Sequence, residues 1–339
     1  MYIIKQNIEV ESKITFCSYE ELISKFEPDN LFIIDKKIDE LYFFDKYPNN
    51  KIVLVSSEKI KTQDSLFTLL NDFAKFNVNK STKIWCIGGG TLSDLVGFSC
   101  SIYKRGIPFN LVPTTLLSMA DASIGGKNAI NFGNVKNVVG TIYLPKNVFI
   151  DLQFLISLDY DIFLSGLMEI IKISILFSQD LWSHILEHKD KIKNRDFNAL
   201  EYIITSAIKL KIDVVNKDLM DFNKRKYLNL GHTFGHSFEL NEDIPHGIAV
   251  AKGLFLALKI SEKYFNFPEK GILEIINLFE FFGVDFSGIT ISKIDFDNLK
   301  NDKKNLNEKI TLVLLKDFFQ PTLLELKENE IRSSLQNMP

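Results

Sequence analysis

The 339-residue chain lacks the means for a disulfide framework or a cysteine-rich metal ribbon. Its three cysteines, Cys17, Cys86 and Cys100, are odd in number, scattered and without paired ligand spacing. Such thiols suit a reducing compartment, and a cytoplasmic protein is expected. Net charge is nearly absent as well: 40 Lys and Arg stand against 43 Asp and Glu, giving −3. Without a clustered basic excess there is no electrostatic footprint for nucleic acid. Long hydrophobic runs are missing too. The longest apolar candidate, "GIAVAKGLFLALKI", is broken by lysines and glycines well short of the roughly 20 residues that span a bilayer. The opening "MYIIKQNIEVESK" meets charge too early for a secretory signal, so no membrane partner is expected.

What remains is ordinary globular material, 46% hydrophobic and 24% charged. At roughly 100–200 residues per domain, two domains are the natural division. The 29 phenylalanines accompany high Ile, Lys and Asn, a pattern that nucleotide composition explains without function.

The first part of the chain alternates short β-branched or aromatic runs with helical spacing. "LFIID" (Leu31–Asp35), "KIVLVS" (Lys51–Ser56), "KIWCIGGG" (Lys83–Gly90) and "FNLVPTT" (Phe109–Thr115) read as strands, and "SLFTLLNDFAKF" (Ser65–Phe76) as a helix. This alternation predicts βαβ units in a mostly parallel sheet, with ligands at the strand carboxyl ends. Beyond about Asp151 the patterns lengthen. "FLSGLMEIIKISILFSQDLWSHILEH", "ALEYIITSAIKLKIDVV", "AVAKGLFLALKISEKYF" and "KGILEIINLFEFFG" are helical, and only "KITLVLL" (Lys309–Leu315) reads as a strand. The expectation is an α/β N-terminal Rossmann-like domain over residues 1–157 and a mainly α-helical C-terminal domain over 158–339, with a cleft between them as the default site.

Three clusters carry chemistry. Gly88, Gly89 and Gly90 follow an apolar strand and open a helix, where close backbone approach and free N–H groups favour a pyrophosphate. The spacing is not G-x-G-x-x-G, and a plain tight turn explains it equally well. Asp35, closing an earlier strand, suits a ribose hydroxyl, while Asp94 suits either a nucleotide or the helix dipole. The second cluster, "VPTTLLSMADASIGGKNAINFGNVKNVVG", carries Thr114, Thr115, Asp121, Gly125, Gly126, Lys127, Asn131, Lys136 and Asn137. Glycines beside lysines and asparagines suit an anion, although a solvated loop has similar composition.

The third cluster, "LNLGHTFGHSFELNEDIPHG", holds three of the five histidines, His232, His236 and His246. On a helix, His232 and His236 share one face and can grip one ion, as in H-E-x-x-H, but the general-base Glu of that motif is absent. Catalytic zinc takes three protein ligands, often including a carboxylate. Glu239 is one candidate, at a distance suited to supporting a ligand. Glu169, in the apolar "GLMEIIK", is another; there a surface ion pair with Lys172 at i+3 is the plainer explanation.

These residues resemble a known family. "GGGTLSDLVGF", "YKRGIPFNLVPTTLL", "DASIGGK", "KNVVG", "MEIIK", "RKYLNLGHTFGH", "HGIAV" and "NDKK" recur in the order and spacing of 3-dehydroquinate synthases, within the wider sugar-phosphate cyclases, from about Asp35 to Lys304. The resemblance implies NAD as cofactor, contacted by Asp35, Glu58, Lys61, Gly89, Gly90, Asp94, Thr114, Thr115 and Ser157, the last in place of a usual threonine. It implies zinc, or cobalt, on Glu169, His232 and His246. Substrate contacts map to Asp121, Lys127, Lys136, Asn137, Lys172, Asn229, His236 and Lys303. Arg105 corresponds to an arginine reaching into a partner subunit, which implies a homodimer. Lys211 and Arg225 correspond to the pair that holds a substrate carboxylate, and their retention with Asn229 favours 3-deoxy-arabino-heptulosonate 7-phosphate.

The chemistry so implied is a lyase reaction of the shikimate pathway, with transient oxidation by NAD, phosphate elimination, re-reduction and ring closure. Departures from the usual pattern fall at Ile248, where Glu is normal, at Asn128 and Ala129 beside the phosphate lysine, and at Asp159, Asp161 and Ile162 at the domain junction. They leave open a divergent cyclase acting on another phosphorylated sugar, with an amino-substituted or cyclitol-type product. An NAD oxidoreductase of the polyol dehydrogenase kind is the competing class.

Overall fold

In the computed structural model, the central strands form from runs that are apolar on both faces, as a parallel sheet covered by helices requires. It describes residues 11–42, 50–133, 135–242, 244–296, 299 and 309–336. The chain divides into two compact units, Met1–Ser157 and Leu158–Pro339. In the first, β1 (Lys13–Phe16), α1 (Tyr19–Ile23), β2 (Leu31–Asp35), α2 (Lys36–Tyr42), β3 (Lys51–Leu54), α3 (Gln63–Lys75), β4 (Ile84–Gly88), α4 (Gly90–Ile102) and β5 (Phe109–Pro113) follow one another. A hairpin of β6 (Lys127–Phe132) and β7 (Val135–Ile142) precedes β8 (Asn147–Ile150).

The six-stranded sheet runs β1-β8-β5-β4-β2-β3, and every pair in it is parallel. The chain steps outward from β2 to β3, then returns to the other side of β2 to lay down β4, β5 and β8. Winding direction therefore reverses between β2 and β4, and a crevice opens outside their carboxyl ends. Asp35 ends β2 and the three glycines end β4, so the topology brings the first predicted cluster to this switch point.

The second unit contains α5 (Tyr160–Phe177), α6 (Gln179–Lys193), α7 (Phe197–Lys217), α8 (His232–Glu242), α9 (His246–Phe265), α10 (Glu269–Phe282), β9 (Lys309–Leu315), β10 (Pro321–Lys327) and α11 (Glu328–Leu335). Two sequence readings need correction here. The single helical pattern from Phe163 to His188 is broken at Ser178, whose side chain caps α6 by accepting from the Leu181 N–H at 3.2 Å. A second strand, β10, pairs antiparallel with β9. It went unread because its residues are mostly half-exposed, so its hydrophobic alternation is weak.

α5 is buried on every side from Phe163 to Leu176, and its neighbours must come close to cover it. Glycine permits this. A Cβ at Gly247, on the first turn of α9, would stand 1.9 Å from the carbonyl oxygen of Ser165 on α5, and the Gly247 N–H donates to Ser165 Oγ at 2.8 Å. Further along α9, a Cβ at Gly253 would stand 2.1 Å from the Gly231 carbonyl just before α8. The backbones of α5, α8 and α9 are thus in near contact, and the register of α9 on α5 is fixed beside Glu169.

Gly247→Ala is expected to force α9 off α5 and destabilise the protein by about 1–3 kcal/mol, the usual cost of overpacking. Urea unfolding checks this, and an unchanged midpoint would mean the two backbones can part freely.

Candidate functional site

At the switch point, Asp35 is held by backbone donors. Its Oδ1 accepts from the N–H groups of Lys37 (2.9 Å) and Ile38 (3.3 Å), and its Oδ2 from Ser56 (3.3 Å). Beside it, a Cβ at Gly88 would lie 3.4 Å from the Asp35 Cβ, and one at Gly89 would lie 3.0 Å from Thr115 Cγ2. Gly89 is the N-cap of α4, so the helix presents its first N–H groups at the end of β4. Thr114 is buried, its N–H bound to the Gly88 carbonyl, and the Thr115 hydroxyl pairs with Ser118 Oγ at 2.9 Å.

Lys61 is the hub beside these residues. Although buried, its ammonium meets Asp94 Oδ2 at 2.7 Å, lies 3.8 Å from Glu58 Oε1 and hydrogen-bonds Asn137 Oδ1. Asn131, named within the polar cluster but given no task, ties the network together. Its amide donates to Glu58 at 2.9 Å, its oxygen accepts from the Asn137 N–H at 2.9 Å, and its own N–H donates to the Lys61 carbonyl at 2.8 Å. Three of the predicted cofactor residues, Glu58, Lys61 and Asp94, therefore join Asn137 in one charge network that ties the segment after β3 to α4 and the β6–β7 hairpin.

The rest of the polar cluster is divided. Asp121 lies in a wide turn of π-helical type at Ser118–Ala122, a distortion frequent at functional sites. Gly126 follows with φ +64°, and a Cβ there would press the Leu144 backbone nitrogen at 3.1 Å, so the turn into Lys127 requires glycine. Lys127 is exposed and Lys136 half-buried. Asn128 takes no outward role: it is buried and donates to the carbonyls of Gly126 (2.7 Å) and Tyr143 (2.9 Å). Arg105 is exposed, in a left-handed conformation just after α4. The Ser157 hydroxyl lies 3.3 Å from the Tyr42 hydroxyl.

In the second unit, Glu169 is buried on α5, and its Oε1 has no hydrogen-bond partner among the described residues. The surface ion pair considered for it is corrected: Lys172 does lie against Oε2, but both side chains are inside, 5% and 3% exposed. His232 Nε2 and His246 Nε2 each stand 3.7 Å from Glu169 Oε1, and one ligand atom from each of the three residues falls within 4.8 Å of the others. His246 Nδ1 faces Glu239 Oε2 at 3.5 Å, so Glu239 supplies the orienting carboxylate on the far side of that ring. Burial, with the nearby Lys172 charge, holds the His232 imidazolium well below its ordinary range. Burial pushes His246 the same way, but the Glu239 contact and the Glu169 charge outweigh it and the net direction is upward. The His236 ring stands perpendicular to His232 at 6.0 Å between centroids.

Asn229 ends a short turn at Lys224–Asn229 that also carries Arg225, and this turn packs on α5 and α7. Arg225 is buried, as is Lys211 on α7. Lys303 lies outside the described residues. No helix among the described residues is long and apolar enough to cross a membrane.

Comparison with known proteins is consistent across the chain. The family model described as 3-dehydroquinate synthase N-terminal matches residues 51–165, and that described as 3-dehydroquinate synthase C-terminal matches residues 166–305. The 3-dehydroquinate synthase of Picrophilus torridus is 35% identical over 314 residues, covering 91% of this chain and 90% of its own. Among solved structures, the 2-epi-5-epi-valiolone synthase ValA of Streptomyces hygroscopicus subsp. jinggangensis, with NAD+ and Zn2+ bound, superposes with a TM-score of 0.88. It is 21% identical, over 99% of this chain and 98% of its own. A 2-deoxy-scyllo-inosose synthase complexed with carbaglucose-6-phosphate, NAD+ and Co2+ gives 0.81 at 23% identity, over 94% and 95% of the two chains. At such identities these structures establish the fold alone.

Lys61→Met keeps the buried stem but removes the ammonium and leaves Asp94 without its cation. A loss of about 1–3 kcal/mol is expected from the unpaired carboxylate. Chemical denaturation measures it, and stability within error of the parent would show that the network carries no energy.

Proposed function

This chain belongs to the 3-dehydroquinate synthase family, and we propose that it is itself a 3-dehydroquinate synthase. The reaction converts 3-deoxy-arabino-heptulosonate 7-phosphate to 3-dehydroquinate and inorganic phosphate, with NAD and a divalent metal as resident cofactors. The observation that carries most weight is the buried Glu169 carboxylate, whose Oε2 lies against the Lys172 ammonium while its Oε1 has no hydrogen-bond partner among the described residues and is faced by two imidazole nitrogens at 3.7 Å. A carboxylate in that condition wants a cation beyond Lys172. Two histidines and one carboxylate are a donor set suited to zinc, and three protein ligands leave a position open for a substrate oxygen. When bound, the metal supplies a Lewis acid and NAD a hydride acceptor that is restored within each turnover.

The chain's own residues then have separable tasks. Asp35 holds a ribose hydroxyl, while Gly89, Gly90 and the first N–H groups of α4 hold the pyrophosphate. Thr114, Thr115, Ser157, Glu58, Lys61 and Asp94 complete that pocket, and Asn137, bound to Lys61, stands between it and the substrate contacts. Lys127, Lys136, Lys172, Asn229, His236 and a lysine at position 303 bind the substrate's phosphate and hydroxyls, together with Asp121. Lys211 and Arg225 clamp the carboxylate, for which a guanidinium gives two parallel hydrogen bonds. Arg105, exposed after α4, reaches the second subunit of a homodimer. Fixing one flexible sugar acid through successive bond changes needs many polar contacts from rigid elements, which is why these residues stand on helices, strand ends and tight turns.

Purified protein given the heptulosonate phosphate is expected to release inorganic phosphate and form dehydroquinate with no net accumulation of NADH. Turnover of sedoheptulose 7-phosphate or glucose 6-phosphate in its place would assign a different cyclase, and stoichiometric NADH would assign a dehydrogenase. Glu169→Gln is expected to lose metal, read by elemental analysis, while retaining NAD; unchanged metal content would remove Glu169 from the ligand set. Glu239→Gln, which strips the support from His246, should weaken metal affinity on the order of 10–100-fold, measured by chelator competition.

A further inference from the structure

Asp218 follows the last residue of α7, at the end where a helix dipole is negative and an acidic side chain is disfavoured. Its carboxylate is nevertheless buried and saturated with backbone donors. Oδ1 accepts from the Phe222 N–H at 2.9 Å, and Oδ2 from the N–H groups of Asn223 at 2.7 Å and Arg225 at 3.0 Å. The loop so gathered contains Asp221 with φ +62°, a conformation uncommon for a non-glycine residue. It also exposes Leu219, Met220 and Phe222 to solvent, so hydrophobic burial does not fold it down. At the loop's end the Arg225 guanidinium turns back and donates from Nη1 to the Leu219 carbonyl at 2.7 Å. One carboxylate therefore gathers the segment that delivers a buried arginine, through the N–H groups of Phe222, Asn223 and Arg225 itself, while the guanidinium rests on the carbonyl of the residue that follows Asp218.

We propose that Asp218 is the positioning residue for Arg225, setting the specificity of the site for a carboxylated substrate. This rests on the reading of Arg225 as the group that binds the substrate carboxylate. A bidentate contact tolerates little displacement of its planar donor, and the peptide N–H of Arg225 is held by a charge-assisted hydrogen bond to Asp218. Asparagine at 218 keeps the shape but supplies one acceptor oxygen and no charge for three donors, so the loop loosens without leaving a hole.

A double-mutant cycle tests this on the full-length holoenzyme, with phosphate release from the heptulosonate phosphate as the assay. Arg225→Lys is expected to raise KM on the order of tenfold or more. Asp218→Asn is expected to raise KM by a similar factor, with a smaller fall in kcat and with metal content and NAD affinity at parent levels. In the Arg225→Lys background, Asp218→Asn is expected to add little further increase in KM, because both changes act on one contact. Multiplicative effects of the two substitutions, or a fall in kcat and thermal stability with KM unchanged, would overturn the positioning role and leave Asp218 as a loop staple only. A KM insensitive to Arg225→Lys would instead overturn the carboxylate reading of Arg225, and the inference with it.

Discussion

A carboxylate buried in the middle of a helix that is itself buried on all sides is the constraint around which the second unit is built. Removing an ion from water costs several kcal/mol even after relaxation, so Glu169 needs opposite charge close by. Lys172, one turn along α5, supplies the first part. The second comes from histidines on α8 and α9, and those helices deliver them only because their backbones can touch α5 and each other. Hence the glycines: a side chain at 247 or 253 would occupy the space of a neighbouring carbonyl. Packing and electrostatics are one problem here, since the steric allowance that lets α9 lie on α5 also brings His246 to Glu169.

The two histidines show how finely position decides state. Both rings are drawn toward neutrality by burial, yet His246 has Glu239 on its far nitrogen and shifts upward, whereas His232, where burial dominates and the Lys172 charge adds to it, shifts down. A neutral His232 has a free lone pair for a cation. His246, oriented from behind by a carboxylate, is a more basic donor with its tautomer fixed. The first unit solves the same problem with the sign reversed. There a buried ammonium, Lys61, is the isolated charge, and its partners Asp94, Glu58 and Asn137 come from three separate segments that the charge then ties together.

Four strands of the parallel sheet and the glycine turn were legible because buried parallel strands are continuous apolar runs closed by turn residues. "LFIID" and "KITLVLL" coincide with β2 and β9. Elements whose formation depends on partners distant in sequence were not legible. The β6–β7 hairpin is glycine- and asparagine-rich and largely exposed, and β10 is half-polar, so neither carries a strong period of two. Ser178, too, acts as a cap through its hydroxyl and interrupts no apolar spacing. At the sites, residue types and spacing suggested an ion-binding group but not its membership; helical spacing favoured His232 with His236, whereas the close set in the fold is Glu169, His232 and His246. Asp218 escaped because its work is done through backbone N–H groups, which leave no mark on side-chain pattern. For Asp218 one signal was available, an acid at the wrong end of a helix.

The departures from the family's usual residues gain meaning from the tasks they perform. Asn128, beside Lys127, fills the space left by the absent Cβ of Gly97, to which its Oδ1 comes within 1.9 Å of where that atom would be, and it bonds two carbonyls that shape the turn before Lys127. Asp159 is the N-cap residue of α5 and Asp161 lies in its first turn, where negative charge complements the helix dipole. Ile248 removes one carboxylate from the neighbourhood of His246, but Glu239 faces that ring's Nδ1. The changes at Asn128, Asp159 and Asp161 are thus absorbed by local structure. Buried Lys211 and Arg225 differ in kind, because two cations taken out of water need polar partners, of which the Leu219 carbonyl is one for Arg225. On the proposed reading this pair meets a substrate carboxylate, which a guanidinium grips through two parallel hydrogen bonds and which a sugar phosphate lacking a carboxylate does not offer.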